Sequence, residues 1–395
     1  MILKKVPIVA TDFNIPDIFS VFRGFKAKER FEKELAASLG LKYVFTVDSG
    51  TSAFYLILKA LSSTYPDKKE VVLPAYTAAS LVLPIKRLGL KIVLCDISLD
   101  TFNLDIEGLN NLISKNTLCV TVVHLFGLVF DLEAFSSIIK RKGIDTIIVE
   151  DCAQALGSFI NKRSVGSGSD VSLFSFNRGK NMSTASGGAI GANDDRLADL
   201  IRKEINILRG PSIFNKFMII VKLILLSLVV RPLIYNCLYH VLKTFRSTKT
   251  PMDFSVSNYT DVQSRVGLSL LKRLHLFSKA RHSNGSFLYD LLSNKQDLII
   301  PHILNLSIPA YNRFPVIFRD IQVKKRIRTI LSEAGIDSSE MYEQPLHFKF
   351  NLGYKKGDFP NAEFIAERLL TLPSHPLVNK AMLNLMRKIF DENLQ

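Results

Sequence analysis

The stretch SFNRGKNMSTASGG, residues 175–188, contains a single lysine, Lys180, among mostly small and polar residues. It continues an apolar run, SDVSLFSF, whose composition predicts a β-strand. Most lysines of soluble proteins are solvated surface charges, so an amine in a Gly- and Ser-rich loop at a strand end is a candidate for chemistry. The reaction for which an amine is suited is formation of a Schiff base with a carbonyl compound.

A carboxylate and an amide are predicted to lie near this lysine. Asp151 follows the apolar run TIIVE, and Gln154 comes about one helical turn later. Ligands of open α/β sheets bind at the carboxyl ends of the strands, which is where all three side chains fall. Asp151 can cap the following helix or hold a cationic ring nitrogen, and both alternatives remain open at this point.

A third group is the turn Ser49-Gly50-Thr51, which follows another strand and begins a helix. Backbone N–H groups and the helix dipole make such a turn an anion site, although a plain helix cap is more frequent. Together with Lys180 and Asp151, the turn supplies what pyridoxal phosphate requires. These needs are an amine for the aldehyde, a carboxylate that keeps the ring nitrogen protonated, and a phosphate cradle.

The elements that position these groups alternate between strand and helix patterns from about residue 28 to 200. KERFEKELAASLG predicts an amphipathic helix that ends at Gly40, and TSAFYLILKALSS predicts a helix that begins at Thr51. KIVLCDI, CVTVVHLFG and DTIIVEDC are typical of buried parallel strands. This alternation predicts a doubly wound α/β sheet with helices on both faces.

The pattern changes after Gly210. We predict a large cofactor-binding α/β domain at residues 1–212, of which 1–27 form an N-terminal segment. An apolar insert follows at 213–250, and a smaller α+β domain occupies 251–395.

Several motifs, in order along nearly the whole chain, resemble the DegT/DnrJ/EryC1/StrS sugar aminotransferases, which are fold-type-I pyridoxal-phosphate enzymes. They are SGTSA (49–53), LPAYTAAS (73–80), VEDCAQALGS (149–158), the lysine loop, RDIQVKKRIRTILSEAGI (319–336), MYEQPLH (341–347) and FPNAEFIAERLLTLPSHP (359–376). The resemblance implies a mainly parallel sheet flanked by helices, a smaller α+β C-terminal domain and a homodimer.

The resemblance also implies roles for individual residues. Lys180 would carry the cofactor, Asp151 would pair with the pyridine nitrogen, and Gln154 would contact the ring oxygen. The phosphate would be bound by Ser175 and by the turn of Gly50, Thr51 and Ser52. For Tyr342 and His347 two interpretations stay open, namely substrate contacts or a buried aromatic and histidine with satisfied partners.

Some positions depart from the family pattern. Ala78 follows Thr77 where an aromatic residue usually stacks on the ring, so Tyr76 is the candidate for that role. The usual Gly-Glu before the double glycine is Ala185-Ser186. Asn258 is the candidate for a contact across the dimer to the phosphate, although it is offset from the expected place.

The implied reaction is a ping-pong transfer of an amino group, with glutamate as donor in most relatives and a keto sugar nucleotide as acceptor. It would serve polysaccharide or glycan precursor biosynthesis. The presence of Lys180 favours amine transfer, because the dehydrating relatives lack it. Two alternatives remain: a fold-type-I enzyme acting on a lipid-linked substrate, and a non-catalytic regulator that keeps the fold.

The insert contains FMIIVKLILLSLVV (217–230), and no carboxylate occurs between residues 213 and 242. Fourteen residues of helix span roughly 21 Å, less than the roughly 30 Å hydrocarbon core. One crossing would also separate Lys180 from the MYEQPLH motif. We therefore expect 213–242 to cross twice as a hairpin, to enter one leaflet and return, or to lie in the membrane interface. The alternative is that it packs as a buried helix or dimer contact. Its flanking cations suit an anionic cytoplasmic leaflet; they are Arg202, Lys203, Arg209, Lys243, Arg246 and Lys249.

Composition supports a basic enzyme of the cytoplasm. The net charge of +15 suggests an anionic partner, but no nucleic-acid recognition motif is present. Four scattered cysteines, Cys95, Cys119, Cys152 and Cys237, lie in apolar runs without metal-ligand spacing, so we predict buried free thiols and no metal site. The start of the chain has no signal-peptide pattern. We therefore expect a cytoplasmic protein. The insert allows the alternative of a peripheral position on the inner face of the cytoplasmic membrane.

Overall fold

The computed structural model describes residues 5–11, 13–22, 26–229, 234–235 and 253–394. Its strands are β1 (Tyr43–Val47), β2 (Glu70–Pro74), β3 (Lys91–Cys95), β4 (Thr117–Val123), β5 (Ile147–Asp151), β6 (Phe159–Ile160), β7 (Arg163–Ser164), β8 (Val171–Ser175), β9 (Gly188–Ala192), β10 (Leu298–Ile299), β11 (Ser307–Ile308), β12 (Phe314–Phe318) and β13 (Leu369–Leu372).

The α-helices within the described residues are α1 (Ile15–Phe19), α2 (Ala27–Leu39), α3 (Gly50–Thr64), α4 (Val82–Arg87), α5 (Ile106–Leu112), α6 (Leu132–Lys142), α7 (Asp195–Asn206), α8 (Ile213–Val229), α9 (Asp261–Leu271), α10 (Leu274–Leu292), α11 (Ile321–Glu333), α12 (Leu346–Lys349), α13 (Pro360–Arg368) and α14 (Lys380–Asn393). Short 3₁₀ turns occur at Ser20–Phe22, Ala79–Leu81 and Leu125–Gly127.

A seven-stranded sheet in the order β1-β9-β8-β5-β4-β2-β3 forms the centre of the molecule. The pairs from β8 to β3 are parallel, and β9 runs antiparallel to both β1 and β8. Every residue of β4 is buried, as expected of a strand covered on both faces. The α/β class with a mainly parallel sheet is therefore confirmed.

Two local differences from the predicted elements have physical causes. The cap of α3 is Ser49 rather than Thr51, because the Ser49 side chain accepts a hydrogen bond from the Ser52 backbone N–H over 3.0 Å. The strand β9, with the sequence GAIGA, was not predicted, since glycine and alanine give no strand signal. Glycine is needed there because a Cβ on Gly188 would lie 2.5 Å from the Ser49 carbonyl carbon.

A second, three-stranded sheet, β10-β12-β13, lies in the C-terminal part, where α11 packs on its strands and α14 packs on α11. The helix α9 belongs by packing to the first part, because it lies against α2 and Gly267 closely approaches the Phe31 ring. A third sheet, β11-β6-β7, joins the two parts by pairing β11 with β6. The boundaries 1–212, 213–250 and 251–395 remain a proposal.

The helix α8 forms the described part of the insert. One face packs on α9 and α1 and buries Leu223, while Ile213, Phe214 and Phe217 on the rest of the helix are 86%, 68% and 59% exposed. No helix within the described ranges has both the length and the hydrophobicity required to cross a bilayer. Residues 230–233 and 236–250 of the insert, which include Cys237 and the predicted flanking cations Lys243, Arg246 and Lys249, lie outside the described residues.

Candidate active site

The predicted polar groups meet at one edge of the central sheet. Asp151 is the last residue of β5, Ser175 is the last residue of β8, and Ser49 comes two residues after β1. These strands run in the same direction, because β1 and β8 are both antiparallel to β9 and β5 is parallel to β8. The carboxyl ends of β1, β5 and β8 therefore lie together at the edge where the candidate site was predicted.

The loop that carries Lys180 is held on both sides of the lysine. The Nδ2 group of Asn312 donates to the carbonyl oxygen of Gly179 over 2.9 Å and to Oδ1 of Asn181 over 2.9 Å. Asn181 in turn donates from Nδ2 to the carbonyl oxygen of Leu156 over 2.8 Å. Hence both neighbours of Lys180 are fixed, and part of the restraint comes from the chain just before β12.

The environment of Lys180 makes its amine more acidic. Burial disfavours the ammonium form and lowers its pKa from the ordinary 10.5 to about 8, while the nearby Asp151 carboxylate opposes this shift and the Arg313 guanidinium adds to it. A larger share of the amine is then neutral at physiological pH than for a surface lysine. A neutral amine is the form that attacks a carbonyl.

Asp151 is a buried carboxylate with a restrained side chain. Its Oδ1 accepts a hydrogen bond from the Ala153 backbone N–H over 2.9 Å. Burial raises its pKa above the ordinary value, although this hydrogen bond and the charge of Lys180 both act in the opposite direction. The helix-cap alternative is not what the structure has here, because this hydrogen bond forms a local turn and no helix begins at Ala153.

A histidine and a glutamate lie next to Asp151, because the His124 backbone N–H donates to the Asp151 carbonyl oxygen over 3.1 Å and Glu150 precedes Asp151 in β5. His124 donates from Nε2 to Oε2 of Glu150 over 2.9 Å and accepts at Nδ1 from the Phe130 backbone N–H over 3.2 Å. The same Glu150 oxygen accepts from Gly166 N–H over 2.9 Å. Burial acts to raise the pKa of Glu150, but these hydrogen bonds outweigh it and lower the pKa.

This pair also lies close to the Cys152 thiol, in a cluster with the composition of a metal site. Both ring nitrogens of His124 already have hydrogen-bond partners, and burial raises the pKa of the Cys152 thiol well above its ordinary value. A metal site at these residues would need a free lone pair on a His124 nitrogen and a deprotonated Cys152 thiolate. His124 and Glu150 are therefore a buried, hydrogen-bonded pair.

Gln154 connects the candidate site to the C-terminal part of the chain. Its Oε1 accepts from the Phe126 backbone N–H over 3.2 Å, and its Nε2 donates to the Tyr342 hydroxyl over 3.3 Å. The Tyr76 hydroxyl is hydrogen-bonded to the Met341 carbonyl and the Tyr342 backbone N–H. The ring of Tyr76 packs edge-on against that of Tyr342 at 5.8 Å. Tyr76 thus fixes the backbone that presents Tyr342 to the site.

The predicted phosphate corner is compact. A Cβ placed on Gly50 would lie 3.2 Å from Cβ and 3.5 Å from Oγ of Ser175, so the first turn of α3 faces the end of β8. The Ser52 hydroxyl donates to the Ser255 carbonyl over 3.0 Å, and the Ser52 N–H is capped by Ser49. The Thr51 N–H lies in the same first turn, where backbone donors have no intrahelical partner.

Two predicted residues take part in other contacts. The Nε2 of His347 lies 3.0 Å from Glu363 Oε1, and its ring packs against Phe359 at 5.0 Å, whereas its buried Nδ1 has no hydrogen-bond partner among the described residues. Asn258 donates from Nδ2 to Leu208 O over 3.1 Å and accepts at Oδ1 from Lys28 over 3.2 Å. Both interpretations of His347 therefore stay open, and the dimer contact of Asn258 remains a prediction.

Sequence reasoning did not identify three residues of the site. His124 follows β4, so the strand-end rule that identified Asp151 could have found it. Asn312 and Arg313 come from the segment before β12, more than a hundred residues after Lys180, and no local pattern marks them.

The assembled residues fit pyridoxal phosphate. Its aldehyde requires an amine, which Lys180 offers with a lowered pKa of about 8. Its ring nitrogen requires a carboxylate, which the buried Asp151 offers. Its phosphate requires N–H donors at a helix N-terminus, which the turn before α3 offers opposite Ser175.

Comparison with known proteins gives a consistent result. The profile of the DegT/DnrJ/EryC1/StrS aminotransferase family matches residues 20–389. The spore coat polysaccharide biosynthesis protein SpsC of Bacillus subtilis (strain 168) is 28% identical over 364 residues, which are 88% of this chain and 84% of that protein. The dTDP-3-amino-3,4,6-trideoxy-alpha-D-glucose transaminase of Micromonospora megalomicea subsp. nigra is 27% identical over 359 residues, with 88% and 84% covered.

The fold is shared with solved structures. PseC of Helicobacter pylori, an aminotransferase involved in the biosynthesis of pseudoaminic acid, superposes with a TM-score of 0.78 at 20% identity over 98% of this chain and 100% of that one. The predicted fold-type-I architecture is thereby confirmed. The profile match over residues 20–389 shows that this chain belongs to the DegT/DnrJ/EryC1/StrS aminotransferase family, as an enzyme of the pyridoxal-phosphate-dependent sugar aminotransferase type.

Proposed function

We propose that the protein transfers an amino group from glutamate to a keto sugar nucleotide with bound pyridoxal phosphate, in the synthesis of a polysaccharide or glycan precursor. The observation that carries this proposal is the pair of Lys180 and Asp151. An amine whose pKa is lowered to about 8 lies within electrostatic reach of a buried carboxylate at the ligand-binding edge of the sheet. Relatives named as a transaminase and as a polysaccharide biosynthesis protein support the substrate class.

The roles of the residues follow from their positions. When bound, pyridoxal phosphate supplies an electron-accepting ring that stabilises negative charge on the substrate carbon. The Asp151 carboxylate favours the protonated form of the cofactor's ring nitrogen. The Nε2 group of Gln154 points towards the Tyr342 hydroxyl. With the cofactor bound, Lys180 would accept and return a proton at Nζ beside the reacting substrate carbon. Gly50, Thr51 and Ser175 bind the phosphate, and Ser52 joins them only if it exchanges its hydrogen bonds to Ser49 and Ser255 for the phosphate.

The first experiment separates an enzyme from a non-catalytic homologue. Purified protein with added cofactor should show an absorbance band at about 420 nm, which is the ordinary region for a lysine-bound pyridoxal group. The band should be absent in Lys180→Ala and in Lys180→Arg, because the guanidinium keeps the charge but cannot form the imine. Retention of an unchanged band in both variants would overturn the assignment of Lys180.

The second experiment identifies the acceptor. Keto sugar nucleotides are incubated with the holoenzyme and glutamate, and the products are read by mass spectrometry. A product in which nitrogen replaces the keto oxygen supports amine transfer. Conversion of a lipid-linked keto sugar together with no conversion of any nucleotide sugar would favour the alternative enzyme class.

We also propose a homodimer in which Asn258 contacts the phosphate site of the second subunit. Asn258 lies on the segment that crosses the end of β1, where it bridges to Val47. In this chain its side-chain amide bonds to Leu208 and Lys28, so the dimer contact would have to replace those hydrogen bonds. Sedimentation equilibrium of the parent and of Asn258→Ala, together with cofactor affinity, tests the proposal.

A membrane surface is the second partner that we propose, on the cytoplasmic side. The exposed part of α8 has six large apolar side chains beside Lys216 and Lys222, and between residues 205 and 252 the chain has seven Lys and Arg residues and no Asp or Glu. An apolar helix face flanked by cations is typical of helices that lie in the interface of an anionic bilayer. The three described cysteines are buried thiols, which suits a reducing compartment.

A further inference from the structure

Arg313 brings a guanidinium group from the C-terminal part of the chain to the lysine loop. A Cβ on Gly179, the residue before Lys180, would lie 3.8 Å from Nη2 of Arg313. Its Nη1 lies 2.8 Å from Sδ of Met341, the residue before Tyr342. Arg313 thus lies between the loop of the candidate amine and the segment of the candidate substrate tyrosine.

The backbone beside Arg313 is rigidly held. The Asn312 side chain is hydrogen-bonded to Gly179 and Asn181, the two neighbours of Lys180. Its backbone N–H donates to Phe126 O over 2.9 Å. The buried Arg281 donates from Nη1 to the carbonyl oxygens of Tyr311 and Asn312 over 3.4 and 3.1 Å. A guanidinium carried on so restrained a segment is preorganised for a ligand.

The charge of Arg313 acts on the site. It adds to the lowering of the pKa of Lys180, and it opposes the burial that raises the pKa of Tyr342. A positive group here therefore favours the neutral amine and also attracts an anionic substrate.

We propose that Arg313 binds the α-carboxylate of the amino donor. This inference rests on the proposed transamination. An amino acid must bring its nitrogen to the position of the Lys180 amine, and its carboxylate is attached to the same carbon. A guanidinium binds a carboxylate through two parallel hydrogen bonds, which are stronger than a hydrogen bond to a thioether such as that of Met341.

The acceptor substrate is a less suitable ligand for this group. Its pyrophosphate is separated from the reacting carbon by the sugar ring, so that group would lie further from Lys180 than an α-carboxylate does. Arg313 therefore distinguishes the two halves of the reaction, and each half can be measured separately.

The test compares Arg313→Gln and Arg313→Lys with Arg319→Gln, a control that removes an exposed arginine at the other end of β12. Holoenzyme is mixed with glutamate alone, and the loss of the band at about 420 nm is followed. The glutamate concentration at half-maximal rate should rise roughly 10- to 100-fold in Arg313→Gln, less in Arg313→Lys and not in the control. The KM for the sugar nucleotide should stay within about twofold of the parent value.

Two measurements do not depend on turnover. Calorimetric titration with α-methylglutamate, which carries the carboxylate but has no α-proton to transfer, should show binding to the parent and weak or no binding to Arg313→Gln. The pH midpoint of cofactor capture by Lys180 should rise in Arg313→Gln, because a charge that disfavours the ammonium form is removed.

The outcomes separate this inference from the proposed function. Unchanged glutamate and α-methylglutamate affinities in both folded Arg313 variants would overturn it. A raised KM for the sugar nucleotide alone would also overturn it, by assigning Arg313 to the acceptor. Absence of the band in the parent would instead refute the proposed use of the cofactor.

Discussion

Gln154 and Tyr342 are joined by a hydrogen bond of 3.3 Å from the amide Nε2 to the phenol oxygen, although 188 residues separate them in the chain. This bond connects the turn after β5 to the segment before α12. The same amide accepts from the Phe126 backbone over 3.2 Å, so Gln154 links three segments at the candidate site.

The two hydrogen bonds of Gln154 predict unequal effects of substitution. Tyr342→Phe removes one acceptor and should lower the free energy of unfolding by about 0.5–1.5 kcal/mol. Gln154→Leu removes both bonds and leaves the Phe126 N–H without this acceptor, which should cost about 1–3 kcal/mol more. Urea unfolding of the cofactor-free variants measures both values. Equal effects of the two substitutions would show that the Phe126 contact contributes nothing.

The lowered pKa of Lys180 predicts that this residue costs stability in the cofactor-free protein. Between pH 8 and 10.5 the unfolded chain binds more protons at this lysine than the folded chain, so the free energy of unfolding should rise with pH across that window. Lys180→Met removes the buried charge and should be more stable than the parent by about 1–3 kcal/mol below pH 8, with the difference shrinking towards pH 10.5.

A matched control for this measurement is Lys356→Met, since Lys356 is exposed. Its stability difference from the parent should not change over the same pH range. If Lys180→Met and Lys356→Met gave the same pH profile, the low pKa assigned to Lys180 would be wrong.

The parts of the site that were predictable from the sequence lie at the ends of apolar strands. Asp151 and Ser175 end β5 and β8 as the patterns TIIVE and SDVSLFSF predicted, because buried parallel strands have a continuous apolar composition. Lys180 follows in a loop whose composition alone distinguished it from a surface lysine. Local composition is sufficient to predict a site residue wherever a single strand and the loop that follows it carry that residue.

The parts that were not predictable depend on contacts between distant segments. Asn312 and Arg313 approach Lys180 only because β12 belongs to a second sheet that packs beside the first. The strand β9 forms because β1 and β8 flank it, although its own sequence GAIGA has low strand propensity. Tertiary packing determines these features, and a single sequence contains no local signal of it.

The hydrogen bond between His124 and Glu150 predicts that removal of the buried His124 donor strongly destabilises the protein. His124→Phe leaves the Glu150 carboxylate buried without its main partner and should lower the free energy of unfolding by about 3–5 kcal/mol at pH 7. Adding Glu150→Gln to His124→Phe should recover part of this loss, because the charge is removed. Thermal unfolding at pH 7 compares the three proteins.

The pH dependence of these variants checks the cause. In the parent the pKa of Glu150 is lowered, so its stabilising contribution is present above the ordinary value of 4.5 and is lost as pH falls through the lowered value. Without His124, burial should raise the pKa of Glu150, and acidification should narrow the gap between His124→Phe and the parent. A gap that is constant with pH would indicate lost packing instead of an unpaired charge.

The exposed apolar side chains of α8 predict binding to anionic vesicles. Phe214→Ser with Phe217→Ser removes two of these side chains, which are 68% and 59% exposed, and should weaken cosedimentation with phosphatidylglycerol vesicles by about tenfold or more. Leu276→Ser, at a leucine of α10 that is 52% exposed, is the control and should bind as the parent does. Binding should also fall with added salt and be weak on phosphatidylcholine, since the cations of the insert contribute. Two results together would refute the membrane partner: no detectable vesicle binding by the parent, and a change from dimer to monomer in the double phenylalanine variant. The exposed face of α8 would then be a subunit contact.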